Sequence, residues 1–180
     1  MHILNSNKYS GAENVVIEII NGTKNYCQSA YVSPYGKIEG FLKKNEIEYI
    51  PLKKLSIQSL REAIKTFKPD VIHAHDWLTA YAGKTLKYAY NTPLVSTIHA
   101  TEAGRNSGIQ GEMQKYINDT EWMLTYESSE VIVNSNYMKN ELQRLFGLPF
   151  EKINVIPNGV SASNFTVSER DYDFRRRYAM

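Results

Sequence analysis

Short apolar runs alternate with amphipathic stretches along the whole of this 180-residue chain. The apolar runs have the length of strands, and the stretches between them carry apolar residues at helical spacing. The predicted strands are residues 2–5, 26–32, 47–51, 70–75, 93–98, 131–133 and 152–156. The predicted helices are residues 11–20, 38–45, 56–67, 78–90, 112–126 and 136–146. This alternation favours an α/β fold with a doubly wound parallel sheet, because crossovers between parallel strands are right-handed.

The first predicted helix begins at Gly11, directly after a polar turn. A helix N-terminus presents free N–H groups and the positive end of a dipole, which suits a phosphate. Glycine lets a ligand approach the backbone closely, although many such turns contain one glycine for steric reasons alone. The fingerprint G-x-G-x-x-G is absent, which argues against a standard dinucleotide site.

Composition and charge narrow the classes of function. The net charge of +2 is too small to indicate nucleic acid or an anionic membrane as a partner. No stretch approaches the roughly 18 consecutive apolar residues of a membrane span, and residues 1–5 lack the features of a signal peptide. The single cysteine, Cys27, excludes an internal disulfide. We expect it to be buried in its apolar-looking run, and we expect a reducing, cytoplasmic location.

Two consecutive predicted strands end in polar side chains. Along the first, alternation places His73 and His75 on one face, and Asp76 and Trp77 follow at the carboxyl end. The next strand ends at His99, and a long loop over residues 100–111 follows it. Ligands of open α/β sheets bind at the carboxyl ends of the strands, so these two ends together predict a site. In the loop, Glu102 and Arg105 are further candidates.

Structural roles compete with the functional ones. His73 is predicted to be a core histidine held by a backbone bond, whereas His75 is open between core and site. Asp76 fits the role of N-cap of the helix that follows it as well as it fits a role in the site. Trp77 fits a role in core packing. Glu102 and Arg105 also fit a solvated surface pair.

A metal site is a further alternative. His73 and His75 with Asp76 match the ligand types of a zinc hydrolase. However, the chain has four histidines, at positions 2, 73, 75 and 99, and none follows His99. We therefore predict no metal site.

Five segments resemble a known family when they are taken in order. They are YSGAE at residues 9–13, VIHAHDW at 71–77, STIHATE at 96–102, VIVNSNYM at 131–138 and VIPNGV at 155–160. Together they look like the amino-terminal half of a retaining glycosyltransferase of the glycogen synthase and sucrose synthase group. The resemblance implies a Rossmann-like domain that forms one half of a GT-B fold.

The resemblance also implies roles for single residues. Gly11 and Ser10 match the turn near the donor phosphates, although Ser10 stands where the family usually has glycine. Asp76 contacts a sugar hydroxyl, and His99 lies under the donor sugar, where it stabilises developing positive charge at the anomeric carbon. The acceptor cleft would include His75, Trp77, Glu102 and Arg105.

The implied partners are a nucleotide-sugar donor (UDP- or ADP-hexose, with glucose as first choice), a carbohydrate acceptor and a carboxyl-terminal Rossmann domain. No cofactor is implied. The family's second domain carries an Arg/Lys pair and two glutamates eight positions apart, and no two glutamates here have that spacing. We therefore expect residues 1–160 to be the acceptor-side domain, residues 161–180 an interdomain tail, and the isolated chain to be inactive. The alternative is a non-catalytic carbohydrate-binding or scaffold module.

Overall fold

A computed structural model describes residues 1–5, 11–159 and 172–177. Its centre is a parallel sheet of seven strands in the order β3-β2-β1-β4-β5-β6-β7. The strands, β1 to β7 in chain order, are His2–Ile3, Ala30–Pro34, Glu48–Leu52, Ile72–His75, Leu94–Ile98, Glu130–Val133 and Ile153–Val155. Ser10, Val160 and most of the predicted tail lie outside the described residues.

Helices connect the strands. In chain order, α1 to α8 are Gly11–Thr23, Ile38–Lys44, Ile57–Phe67, Ala80–Tyr90, Glu102–Arg105, Glu112–Glu127, Asn136–Phe146 and Tyr172–Arg177. The pattern predicts six of these, but not α5, which lies inside the predicted long loop, nor α8 in the tail. Among the described helices, none has the length and apolar character needed to cross a membrane.

Two hydrophobic cores lie on opposite faces of the sheet. One is formed by α1 and α2 with Leu4 and Tyr31, and the other by α3, α4, α6 and α7 with Ile3 and Val32. Neighbouring residues of one strand therefore enter different cores, as side-chain alternation requires. This arrangement confirms the doubly wound α/β prediction.

The chain reverses its direction of winding between β1 and β4. Strands β2 and β3 extend the sheet on one side of β1, and β4 to β7 extend it on the other. Loops that leave β1 and β4 at their carboxyl ends diverge to opposite faces and open a crevice between them. Asp76 stands at the end of β4, beside this crevice.

Local sequence fixes several helix ends. The side chains of Ser56 and Ser135 accept hydrogen bonds from Ser59 N at 3.3 Å and from Met138 N at 3.2 Å. Gly147 ends α7 in a left-handed conformation with φ of 64°.

The prediction that Cys27 is buried is wrong: its side chain is exposed. Helix α1 continues to Thr23 and β2 begins at Ala30. Cys27 therefore falls in the connection between the two elements and not in a strand.

Candidate functional site

Asp76 and His99 meet at the crevice. The Oδ1 atom of Asp76 accepts a hydrogen bond from the backbone N–H of His99 at 2.9 Å. The backbone N–H of Asp76 in turn donates to the carbonyl of Thr97 at 3.0 Å. The ends of β4 and β5 are thus joined through one carboxylate. Asp76 makes no side-chain bond to the helical turn at residues 77–79, so its alternative role as a helix cap is wrong.

The backbone of Asp76 is strained. Its φ of 57° and ψ of 174° lie in a region that is essentially reserved for glycine. Hydrogen bonds hold it there, because its carbonyl accepts from the Thr79 N–H at 3.2 Å and from the Thr79 hydroxyl at 3.1 Å. The surrounding structure therefore overrides a local cost of roughly 1–3 kcal/mol, which is typical of functional sites.

Opposing charges surround the Asp76 carboxylate. Burial raises its pKa above the ordinary value, and the carboxylate of Glu13 acts in the same direction. Two residues act against that rise in the pKa: His99, through its ring and its backbone N–H, and Arg105, through its guanidinium. Glu13, in the first turn of α1, is only 2% exposed. The crevice therefore gathers groups from three separate elements around one carboxylate.

Two buried glutamates hold helix α5 in place through hydrogen bonds to its first residues. Both carboxylate oxygens of Glu121 lie 3.0 Å from the backbone nitrogen of Glu102 and accept its N–H. The hydroxyl of Thr101 donates to Glu141 and accepts from the Gly104 N–H at 2.9 Å. Part of the predicted long loop is thus a fixed structure next to the crevice.

The carboxyl group of Glu121 titrates near neutral pH. Burial is the main cause and raises its pKa to about 7, and the negative charges of Asp76 and Glu102 add to the rise. The Glu102 N–H and the Arg105 guanidinium oppose it. Proton binding at Glu121 is therefore coupled electrostatically to the crevice.

The other predicted site residues lie close by. Gly11 begins α1 and is exposed, and Trp77 is half-buried with its ring edge against Tyr116 at 6.4 Å between centroids. The carboxylate of Glu102 accepts from the Asn106 side chain at 2.8 Å. Arg105 is exposed and forms no ion pair within the described part of the chain. The predicted surface pair of Glu102 and Arg105 is therefore wrong.

All four histidines lie together on one face of the sheet. The Nδ1 atom of His2 is 3.3 Å from Nε2 of His75, and Nδ1 of His75 is 3.3 Å from Nε2 of His99. His73 stacks on His75 at 4.2 Å between centroids, and its Nε2 is 2.7 Å from the Thr97 hydroxyl. His73 is buried as predicted, but its partner is a side chain and not the backbone.

The histidine cluster also has the donor atoms for a metal. Among the described residues, His2, His73 and His75 each offer a ring nitrogen, and these atoms lie within 4.8 Å of one another. The N···N distance of 3.3 Å between His2 and His75 suits a hydrogen bond and equally suits two ligands of a tetrahedral ion. Contacts to Thr97 and His99 occupy further ring nitrogens of the cluster.

The site is an open edge and not a closed cavity. Two cavities of about 520 and 580 Å³ adjoin His73, and neither is lined by Asp76 or His99. Both Asp76 and His99 are partly exposed.

Sequence reasoning missed four members of the site: His2, Glu13, Glu121 and Glu141. For two of the glutamates a usable pattern exists, since Glu121 lies between the buried positions Ile117 and Leu124, and Glu141 lies beside Leu142. A carboxylate within the apolar stripe of a helix is rarely buried without a partner. His2 shows no comparable pattern, because its neighbours in space come from β4.

Known proteins resemble this chain in sequence and in fold. The model of the family described as Glycosyltransferase Family 4 matches residues 29–164. The Mycobacterium tuberculosis (strain H37Rv) glycogen synthase is 42% identical over 107 residues, which is 59% of this chain and 26% of that protein. An uncharacterized glycosyltransferase of Methanocaldococcus jannaschii, MJ1607, is 40% identical over 112 residues, or 61% of this chain and 29% of that protein.

A solved structure shares the fold. The Anabaena protein Alr3699/HepE, solved in complex with UDP and glucose, has a TM-score of 0.74 and 17% sequence identity. The alignment covers 98% of this chain and 49% of that one. At this level of identity, the likeness concerns the fold alone.

Proposed function

The chain belongs to Glycosyltransferase Family 4 and has the fold of one half of a GT-B enzyme, and from this premise we propose its activity. It is the acceptor-side domain of a retaining glycosyltransferase that moves a hexose from a nucleotide sugar to a carbohydrate acceptor. Glucose is the first choice for the hexose, and UDP or ADP for the nucleotide. The isolated chain is inactive in this proposal.

The observation that carries the proposal is the joined pair of Asp76 and His99 at the crevice. Sugar transfer passes through an oxocarbenium-like state, and groups fixed in advance around that charge lower the barrier. Asp76 is fixed by its backbone and side-chain bonds, and it also fixes the chain at His99. Asp76 binds a sugar hydroxyl, and His99 stabilises the charge at the anomeric carbon.

The donor part of the proposal has two supports. The exposed N-terminus of α1 at Gly11 lies at the carboxyl end of β1, where free N–H groups attract a phosphate. The structural neighbour HepE was solved with UDP and glucose, and a relative is named glycogen synthase. Trp77, Glu102 and Arg105 would then contact the acceptor from the other side of the crevice.

We propose that a second domain covers the open edge. The matches cover 26% and 29% of the two relatives and 49% of the structural neighbour. We propose that residues 1–160 pair with a second Rossmann domain, that residues 161–180 lead to it, and that the whole enzyme is cytoplasmic. A reducing compartment accords with the exposed free thiol of Cys27.

The first experiment compares the isolated chain with a longer product in which a second Rossmann domain follows the same residues. Both are assayed for transfer from UDP-glucose and ADP-glucose to a glucan. Transfer is expected only from the longer product, and the products should keep the anomeric configuration of the donor. Robust transfer by the isolated chain would contradict the half-enzyme proposal.

The second experiment tests the site in the longer product. Asp76→Ala and His99→Ala are each expected to lower kcat/KM by about 100-fold or more, since they remove groups that act on the transition state. Asp70→Ala is the matched control, because Asp70 is exposed at the opposite end of β4 and should leave transfer unchanged. If neither site variant lowers transfer, the alternative of a non-catalytic module gains support.

A further inference from the structure

The three histidines His2, His75 and His99 form one continuous chain of ring nitrogens. Each of the two links is 3.3 Å long and joins an Nδ1 to an Nε2: His2 Nδ1 to His75 Nε2, and His75 Nδ1 to His99 Nε2. His75 is in the middle and is only 4% exposed. Both of its ring nitrogens are therefore occupied by other imidazoles.

The inner members of this chain are uncharged near neutral pH. Burial is the main cause that lowers the pKa of His2 and of His75 well below the usual range. The ring of His73 and the amino group of Met1 lower both pKa values further. A neutral imidazole has one N–H donor and one acceptor nitrogen. The proton on His75 therefore decides which way both hydrogen bonds point.

Only two arrangements satisfy both links. In one, His99, His75 and His2 all carry their proton on Nε2, so that His99 donates to Nδ1 of His75 and His75 donates to Nδ1 of His2. In the other, all three carry it on Nδ1 and the direction is reversed. The Nε2–H form is the more stable tautomer of free neutral histidine. A protonated His99 also gives the first arrangement, because it has only donors.

We infer that His2 and His75 are positioning residues that hold the proton of His99 on Nε2 and leave its Nδ1 free to accept a hydrogen bond from a sugar hydroxyl. The role at the sugar rests on the proposed function, whereas the tautomer does not. Without the partner ring, His99 would exchange between two tautomers, and a fraction of the molecules would present an N–H donor at Nδ1 in place of an acceptor nitrogen.

The test is nuclear magnetic resonance of the chain labelled with ¹⁵N at histidine. The sequence contains four histidines, so the imidazole spectrum has four patterns. Each pattern reports which nitrogen carries the proton, and ¹⁵N–¹⁵N couplings across the hydrogen bonds identify the linked rings. We expect the Nε2–H pattern for His2, His75 and His99, with couplings between His75 and both of its neighbours. This measurement needs no variant, no donor and no second domain.

Two matched variants then test the role of His75. His75→Leu removes the central ring, whereas His73→Leu removes a buried ring of the same strand that is bonded to Thr97 and lies outside the chain of nitrogens. The Nε2–H pattern of His99 should become an exchange-averaged mixture in the first variant and stay unchanged in the second.

Several results would overturn the inference. One is an Nδ1–H pattern at His99 in the wild-type chain. Another is the absence of ¹⁵N–¹⁵N couplings between His75 and its neighbours. A third is an equal change of the His99 pattern in the two variants. Loss of the wild-type pattern on treatment with a chelator would show that the rings hold a metal instead. A failed transfer assay would leave the tautomer result standing, so the two proposals fail separately.

Discussion

The carboxylate of Asp76 accepts the backbone N–H of His99 at 2.9 Å, while the Asp76 N–H donates to the carbonyl of Thr97 at 3.0 Å. This pair of bonds closes the edge between β4 and β5 beyond the last ladder pair, His75 with Thr97. One aspartate therefore fixes both the place of its own carboxylate and the place of His99. Substitutions at Asp76 should therefore change both the site and the stability of the chain.

The backbone strain at Asp76 predicts that a glycine variant is more stable than an alanine variant at this position. At φ of 57° and ψ of 174°, alanine is strained and glycine is not. Asp76→Gly should therefore be more stable than Asp76→Ala by roughly 1 kcal/mol in urea denaturation, although both lose the carboxylate. At Asp70, which has an ordinary negative φ, alanine should be the more stable of the same two replacements. If the alanine variant were more stable than the glycine variant at both positions, the backbone of Asp76 would not be strained in solution.

The raised pKa of Glu121 predicts a loss of stability with rising pH. Its carboxyl has a pKa of about 7 in the folded chain against an ordinary value of 4.5. The folded state then holds the proton more tightly, so this contribution is full below about pH 4.5 and is lost as the pH rises through about 7. The lost contribution is about 3 kcal/mol at most. Glu121→Gln should therefore make stability less dependent on pH between about pH 5 and about pH 8, measured by urea denaturation.

Glu127, on the same helix, provides the control with the opposite sign. Burial works to raise its pKa, but hydrogen bonds from Lys84, Tyr88 and Lys87 outweigh burial and lower the pKa to about 2. Its contribution is present above about pH 4.5 and is lost as the pH falls through about 2. Glu127→Gln should therefore destabilise the chain by the same amount at about pH 5 and about pH 8. A parallel pH dependence in the two variants would contradict the assignment.

Replacement of Gly104 by alanine is predicted to destabilise the chain. A Cβ atom there would lie 2.7 Å from a carboxylate oxygen of Glu141 and 3.0 Å from the Thr101 hydroxyl. Gly104→Ala should displace the anchor of α5 and lower the free energy of unfolding by about 1–3 kcal/mol. Gly40→Ala, in α2, meets nothing within 4 Å and should raise it by roughly 0.5–1 kcal/mol. Equal effects in thermal denaturation would mean that Glu141 does not hold α5.

A metal at the histidine cluster is predicted to be absent. Two imidazole pairs are accounted for by hydrogen bonds between ring nitrogens, and Nε2 of His73 is already 2.7 Å from the Thr97 hydroxyl. Elemental analysis of purified protein should find less than stoichiometric zinc, copper and nickel. A chelator should leave both the melting temperature and the activity of the longer product unchanged. One zinc per chain would instead favour the metal-dependent hydrolase.

The fold was largely predictable from the sequence, because strand and helix periodicities are properties of neighbouring residues. The adjacency of Asp76 and His99 was predictable for the same reason: two parallel strands in sequence bring their carboxyl ends to one edge. The partners of the polar groups were not. The Asp76 carboxylate could accept a backbone N–H either from the helical turn that follows it or from the end of the next strand. Neighbouring residues in the sequence do not determine which of the two it accepts.

The sequence alone therefore determined the alternating architecture and the edge at which the site lies. Only the tertiary structure decided that Cys27 is exposed, that Glu121 and Glu141 support α5 and that His2 joins His75. Periodicity specifies which side of an element is buried. Hydrogen-bond partners and pKa values depend on groups that are 19 to 73 positions away in the chain, and folding alone brings those groups within a few ångströms.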